Sequence, residues 1–242
     1  MIAILTDFGK FEGAGIMNGV ILKTYPEARV VILSNEVSEF DIREGAWVLQ
    51  SAYRYFPEKT VFLCVVDPGV GSARKAIAIE TERYFFVGPD NGLMYPAASE
   101  DGIRKIVELP QEGACNTFHG RDVFAPYAAV IDAEKSISMF GDAMDNEALV
   151  KTGFYLKGRE GEIVRIDNYG NIVTNLKHTG NSDYQVLAKS TDTKIPFLKS
   201  YAFGANRPFI VEGSAGTLEI CVNMGSAEKQ LGLKQGDRII IR

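Results

Sequence analysis

Long apolar runs are missing from this chain. No stretch approaches the ~18 residues that a helix needs to cross a bilayer, which sets aside membrane-spanning roles. A basic stripe is missing too. Net charge is −5, with 26 Lys and Arg against 31 Asp and Glu, and the basic residues occur at most as isolated pairs such as Arg74-Lys75. That excludes the electrostatic footprint of a nucleic-acid binder. Histidine is scarce, with only His119 and His178, and the three cysteines (Cys64, Cys115, Cys221) are far apart with no C-x-x-C. No metal-ligand spacing results, so no metal or other cofactor is expected. Cys64, inside Phe-Leu-Cys-Val, reads as a small core residue, and unpaired thiols fit a reduced cytoplasmic setting. The start, Met1-Ile-Ala-Ile-Leu-Thr-Asp, lacks a basic region and meets an acid at residue 7. It reads as a buried strand rather than a signal peptide. Internal repeats and low-complexity segments are absent.

What remains is the composition of an ordinary globular protein, 46% hydrophobic and 24% charged over 242 residues. The first part alternates strand and helix signals. Residues 2–6, 29–33 and 60–66 are continuous apolar runs, as in strands covered on both faces. Residues 76–80 and 84–88 read as a hairpin around Thr81-Glu82-Arg83. Asp41 and Glu44 have capping-box spacing ahead of Ala46, Leu49, Tyr53 and Phe56, which share one helix face. Trp47 lies on this helix as a packing residue. Asp122 is placed to cap a helix over 123–132, with Pro126 in its first turn. This order predicts an α/β domain over 1–150, a mostly parallel sheet with helices on both faces. Lys157–Gly161 reads as a linker. Short strands follow at 162–166, 171–176, 184–188, 209–211, 217–222 and 238–241, predicting a small all-β barrel over 160–242.

Several polar residues stand where chemistry is possible. Asp7 and Asp67 each follow an apolar strand, and open parallel sheets bind ligands beyond the carboxyl ends of their strands. An acid at such a place commonly accepts hydrogen bonds from a ribose diol; the plain alternative is an Asx-turn. Asp67 opens Asp-Pro-Gly-Val-Gly-Ser-Ala-Arg, a glycine-rich bend ending at Arg74 whose spacing is neither Walker A nor Rossmann. His119 lies in Phe-His-Gly-Arg-Asp before a helix. One carboxylate, one guanidinium and one imidazole can hold and polarise water without a metal. Gly88-Pro-Asp-Asn-Gly92 is a third strand-end bend, read as pocket wall. In the second part, Asp167-Asn-Tyr-Gly-Asn171 suits a hairpin turn. It also offers a carboxylate for an ammonium, an amide for a carboxylate and a ring for a base or sulfonium. The turns at Ser214–Glu219 and Val222–Gly225 offer similar polar groups.

Leu5-Thr-Asp-Phe-Gly9, Val66-Asp-Pro-Gly-Val-Gly71, Gly88-Pro-Asp-Asn-Gly92, Phe118-His-Gly-Arg-Asp122 and Tyr169-Gly-Asn-Ile-Val-Thr-Asn175 occur in order along the whole chain. With these five motifs the chain resembles the family that contains S-adenosyl-L-methionine hydrolases (adenosine-forming) and the related fluorinases and chlorinases. The resemblance implies a homotrimer, with substrate held between the α/β domain of one subunit and the barrel of its neighbour. It implies an Asp–Arg–His triad around the attacking water, at Asp67, Arg74 and His119. The halogenase branch has an aromatic residue where Asp67 stands and a halide pocket near positions 119–120. For the substrate it implies Asp7 at the ribose hydroxyls, with Phe8 beside it. Asp167, Asn171 and Ser214 would hold the methionine part or the base, Tyr169 would stack near adenine, and Glu219, Val222 and Met224 would line its edge. Glu12 stands where the family often has Asp, and Asn18 where it often has Lys. The reaction so implied is attack of water or hydroxide on C5′, giving adenosine and L-methionine. The alternatives are a chloride-using halogenase, a non-catalytic binder of adenosyl compounds and, least favoured with so few histidines, a metal-dependent phosphohydrolase.

Overall fold

A computed structural model describes all 242 residues, which divide into two compact units, Met1–Gly153 and Phe154–Arg242. The first unit runs β1 (Ile2–Thr6), α1 (Gly13–Thr24), β2 (Val30–Ser34), α2 (Ile42–Ala52), β3 (Val61–Val65), β4 (Ala76–Thr81), β5 (Phe85–Pro89), α3 (Tyr95–Asp101), β6 (Ile103–Glu108) and α4 (Ala125–Glu134). Its six strands lie in the order β2-β1-β3-β5-β4-β6. β2, β1, β3 and β5 are parallel neighbours, whereas β4 runs antiparallel to both β5 and β6. The sheet is therefore mixed.

Side-chain alternation along the buried strands feeds two cores. Ile2, Ile4, Val61 and Leu63 point to the face covered by α1 and α4, meeting Met17, Ile21, Ala125 and Ala128. Ala3, Leu5, Phe62 and Cys64 point to the other face, meeting Leu49 of α2 and Ala97 and Ala98 of α3. Both faces being covered, the strands read as continuous apolar runs. Gly88 permits a close approach of β5 to β3: a Cβ there would lie 2.3 Å from the Cys64 carbonyl oxygen.

Of two local expectations, the cap of α2 holds and that of α4 changes. Asp41 caps α2 by accepting from the Glu44 N–H at 2.8 Å. The Asp41 N–H donates to the Ser38 carbonyl at 3.0 Å, and the Glu44 carboxylate accepts from the Ser38 N–H at 3.0 Å and fixes the approach to the helix. Asp122 does not cap α4. The chain turns helical earlier, through a wide turn over Gly120–Phe124 in which the Ala125 N–H donates to the Gly120 carbonyl. Asp122 lies inside that turn, and its carboxylate accepts from the Cys115 N–H and from Arg121. Pro126 still falls at the start of α4.

The second unit consists of β7 (Glu160–Ile166), β8 (Ile172–Thr174), β9 (Asp183–Ala188), β10 (Thr191–Pro196), β11 (Phe209–Glu212), β12 (Leu218–Cys221), α5 (Ala227–Leu231) and β13 (Arg238–Ile241). The strands form one antiparallel sheet, β10-β9-β13-β7-β8-β12-β11. A bridge from Phe197 to Ile210, just past β10, brings its two ends together, so the sheet is nearly closed into a barrel. Ile163, Ile172, Tyr184, Ile220 and Ile239 fill its interior. Lys157–Gly161, expected as a linker, is instead ordered: residues 157–160 make a tight turn closed by reciprocal backbone hydrogen bonds of 2.8 and 3.0 Å, and Glu160 and Gly161 begin β7.

Candidate functional site

Asp7 and Asp67 follow β1 and β3, which pair in parallel, so the two carboxylates emerge side by side at the carboxyl edge of the sheet. The bend from Asp67 to Arg74 is held at both ends by one neighbouring loop. Asn91 donates from Nδ2 to the Val66 carbonyl at 2.8 Å, and the Asp90 N–H donates to the Lys75 carbonyl at 2.9 Å. Within the bend, the Ser72 N–H donates to the Gly69 carbonyl at 3.1 Å. Gly71 has φ +76, and a Cβ there would lie 2.3 Å from the Asn116 carbonyl oxygen. The loop leading to His119 thus rests directly on the bend that carries Arg74, an approach open only to glycine.

Three predicted residues meet here. The Arg74 guanidinium grips Asp67 with Nε (3.0 Å to Oδ1) and Nη2, and Nη2 also approaches His119 Nδ1 at 2.8 Å. Nη1 donates to Gln111 Oε1 at 2.8 Å, and the guanidinium lies 5.2 Å above the Phe124 ring. Asp67 and His119 line a cavity of about 450 Å³; Arg74 stands behind them and joins them. Their side chains are nearly buried, Asp67 at 6% and Arg74 at 10% exposure.

This geometry sets the state of His119. Arginine only donates, so Nδ1 accepts and the ring proton sits on Nε2. Burial pushes the His119 pKa below its usual 6.5, the Arg74 charge adds to that, and Asp67 and Asp122 oppose it. His119 stays neutral as pH falls past 6.5 and takes a second proton only at its lower pKa. With only two histidines in the chain, proton NMR should follow His119 without overlap. The His119 midpoint is expected below 6.5 and higher in Arg74→Gln, where the lowering charge is gone. An unmoved midpoint in that variant would contradict the coupling.

Asp7 and Phe8 line the same cavity. Asp7 Oδ2 accepts from the Phe40 N–H at 2.9 Å, and burial raises its pKa above the usual carboxylate value. Phe8, Phe11 and Phe118 form a triangle of rings 5.7 to 5.9 Å apart on the cavity wall. Phe11, Phe40 and Phe118 had no sequence signal as wall residues. Glu12 is exposed at the start of α1 and does not line this cavity.

The second unit has its own hollow of about 720 Å³, lined by Asp167, Tyr169, Asn171, Tyr201, Val222, Met224 and Lys229 among others. Tyr169 and Met224 are 79% and 99% exposed, large apolar surfaces offered outward. Asp167 closes its own loop: Oδ1 accepts from the Tyr169 and Asn171 N–H groups, each at 2.9 Å, and Oδ2 from Asn171 Nδ2 at 2.8 Å. Glu219 lies under the hollow and accepts from Tyr201 Oη at 2.7 Å, with burial raising its pKa. Ser214 sits exposed in the Gly213–Gly216 turn, apart from the lining residues. Tyr201 and Lys229 were not legible beforehand. No group of three or more His, Cys, Asp and Glu residues suited to a metal ion occurs in the chain.

Comparison with known proteins supplies the chemistry. Residues 2–141 match the family described as SAM hydroxide adenosyltransferase N-terminal domain, and residues 161–240 its C-terminal domain. The chain is 37% identical to an (R)-S-adenosyl-L-methionine hydrolase of Methanocaldococcus jannaschii, covering 100% of this chain and 95% of that protein. A protein of the same name from Thermus thermophilus is 35% identical over 96% of this chain and 95% of its own. A fluorinase of an Actinoplanes species is 24% identical over 74% of this chain. The crystal structure of an uncharacterized conserved protein from Thermotoga maritima superposes with a TM-score of 0.91 at 34% identity, covering both chains fully.

Proposed function

Because the chain belongs to the SAM hydroxide adenosyltransferase family, we propose that it hydrolyses S-adenosyl-L-methionine to adenosine and L-methionine, on the (R) sulfonium epimer named for its relatives. The observation that carries this reading is the Asp67–Arg74–His119 chain at the edge of a cavity, with Asp7 beside it.

The leaving group is a neutral thioether, so its departure needs no acid. The demand falls on the nucleophile. A water against His119 receives the Nε2–H hydrogen bond, while Asp67, its carboxylate fixed by Arg74, accepts one of the water's protons in a hydrogen bond and orients it. With Nε2 already protonated, neutral His119 is a donor to oxygen and not a base. It stabilises hydroxide, with the Arg74 charge directly behind it. The water's proton passes to solvent, the hydroxide oxygen bonds to C5′, and the C5′–S electron pair stays on sulfur. The start of the Gly120–Glu134 helical segment, adjacent to His119, adds a field that favours an anion there. Holding the oxygen in line can contribute about 7–11 kcal/mol of the barrier reduction. Asp7 binds the ribose hydroxyls with Phe8 beside it. Asn171, Tyr169, Val222 and Met224 offer the second hollow to the base or the methionine part. Asp167 acts there by shaping its loop. Glu219 acts through Tyr201. Glu12 and Ser214 line neither hollow of the single chain and join the site only where a neighbouring subunit completes it. The homotrimer, with the α/β unit of one subunit facing the antiparallel unit of the next, belongs to the same reading.

Heavy-oxygen water tests it. Each sulfonium epimer is incubated with the protein in labelled water, with and without chloride. Label at the adenosine 5′-oxygen from the (R) epimer is expected. A 5′-chloro product would make it a halogenase, and intact substrate a binder. Light scattering on the active sample reads the subunit number.

A further inference from the structure

The guanidinium of Arg74 has a third hydrogen-bonding partner that the triad does not include. Asp67 takes Nε and one hydrogen of Nη2, and His119 Nδ1 takes the other Nη2 hydrogen. On the opposite edge, Nη1 donates to Gln111 Oε1 at 2.8 Å, and the same amide reaches back with Nε2 to the Arg74 carbonyl at 3.5 Å. Gln111 stands in the loop after β6, half-buried, with Leu109 tied to Ala76 by a 2.8 Å backbone hydrogen bond just before it.

We infer that Gln111 is a positioning residue for the hydrolysis, holding the Arg74 guanidinium at the angle that keeps His119 in its Nε2–H form. A two-bond grip on Asp67 leaves one soft motion, a tilt of the guanidinium plane about the line through Nε and Nη2. Nη1 lies farthest from that line and swings most. The same tilt carries the second Nη2 hydrogen away from His119 Nδ1. Gln111 restrains Nη1 itself, and the Phe124 ring backs one face of the plane. Without the amide oxygen, the His119 ring is free to place its proton on Nδ1, and the Nε2–H donor to hydroxide is lost for that fraction of molecules.

The inference rests on the hydrolase reading for its kinetic arm, but nitrogen NMR of the two imidazoles needs no turnover. Gln111→Met keeps the length and removes the acceptor; Gln111→Glu keeps the acceptor. Glu112→Gln, exposed on the same loop, is the control. In Gln111→Met, kcat is expected to fall about tenfold with KM within about twofold. Its His119 nitrogen shifts are expected to move from a single Nε2–H form toward a mixture, while His178 is unchanged. Gln111→Glu is expected to restore the single tautomer and most of kcat. Wild-type shifts and kcat in Gln111→Met would overturn the role. So would an equal loss in Glu112→Gln, or a change in KM that matches the change in kcat. If the wild-type protein does not turn over, the hydrolase reading fails, and the nitrogen shifts alone decide whether Gln111 sets the tautomer.

Discussion

Replacing His119 with alanine is expected to lower kcat about 10²–10³-fold while KM stays within about threefold, because what is lost is a donor aimed at charge that develops on the attacking oxygen. The more telling variant is His119→Gln. If His119 were a general base, an amide would be as inert as alanine. With Nδ1 accepting from Arg74, the ring donor left to His119, which lines the cavity, is Nε2–H. A glutamine has both an acceptor and a donor at the end of its side chain and reproduces part of that pattern. His119→Gln is therefore expected to retain at least about tenfold more activity than His119→Ala. Equal kcat in the two variants would reject the donor role and restore a base at this position. Substrate affinity, measured separately, guards against loss of the cavity itself.

How much of this was legible in the sequence follows from what kind of contact each residue makes. Asp7 and Asp67 could be read because a strand end is a local feature: an apolar run stops at a carboxylate before a bend. The two-faced cores could be read for the same reason, since alternation over Ile2–Leu5 and Val61–Cys64 is carried by adjacent residues. β6 and β10 escaped because both are edge strands in which charged or polar residues (Arg104, Lys105, Asp192, Lys194) interrupt the apolar pattern, so no period marks them. The early turn before α4 escaped because Asp122 has cap chemistry, and only the tertiary approach of Cys115 diverts its carboxylate. Gln111 is 37 residues from Arg74, in a loop without period or motif. Its role exists only after the sheet brings β4 and β6 together. The motifs named Arg74 as a member of the site but not its place there. The guanidinium does not face the cavity; it connects the two groups that do.

That placement gives Arg74→Lys the other large effect. Alanine would be a poor probe, since it strands a nearly buried carboxylate, and breaking a buried pair from one side costs about 3–5 kcal/mol of stability. Lysine keeps the charge and much of the stem. It does not keep the planar fork that reaches Asp67 twice, His119 and Gln111 at once. An ammonium drawn to Asp67 leaves His119 Nδ1 without its donor, so the ring proton is no longer confined to Nε2 and the hydroxide loses its hydrogen bond. The expected fall in kcat is about 10²–10³-fold, comparable to loss of the imidazole, because both remove the same donor. KM should change little, since Arg74 does not line the cavity. The double variant Arg74→Lys, His119→Ala should then be scarcely slower than either single one, as two changes to one linked unit do not add. A lysine variant within about threefold of wild type would mean that positive charge alone suffices, and the bridging geometry would have no part in the reaction.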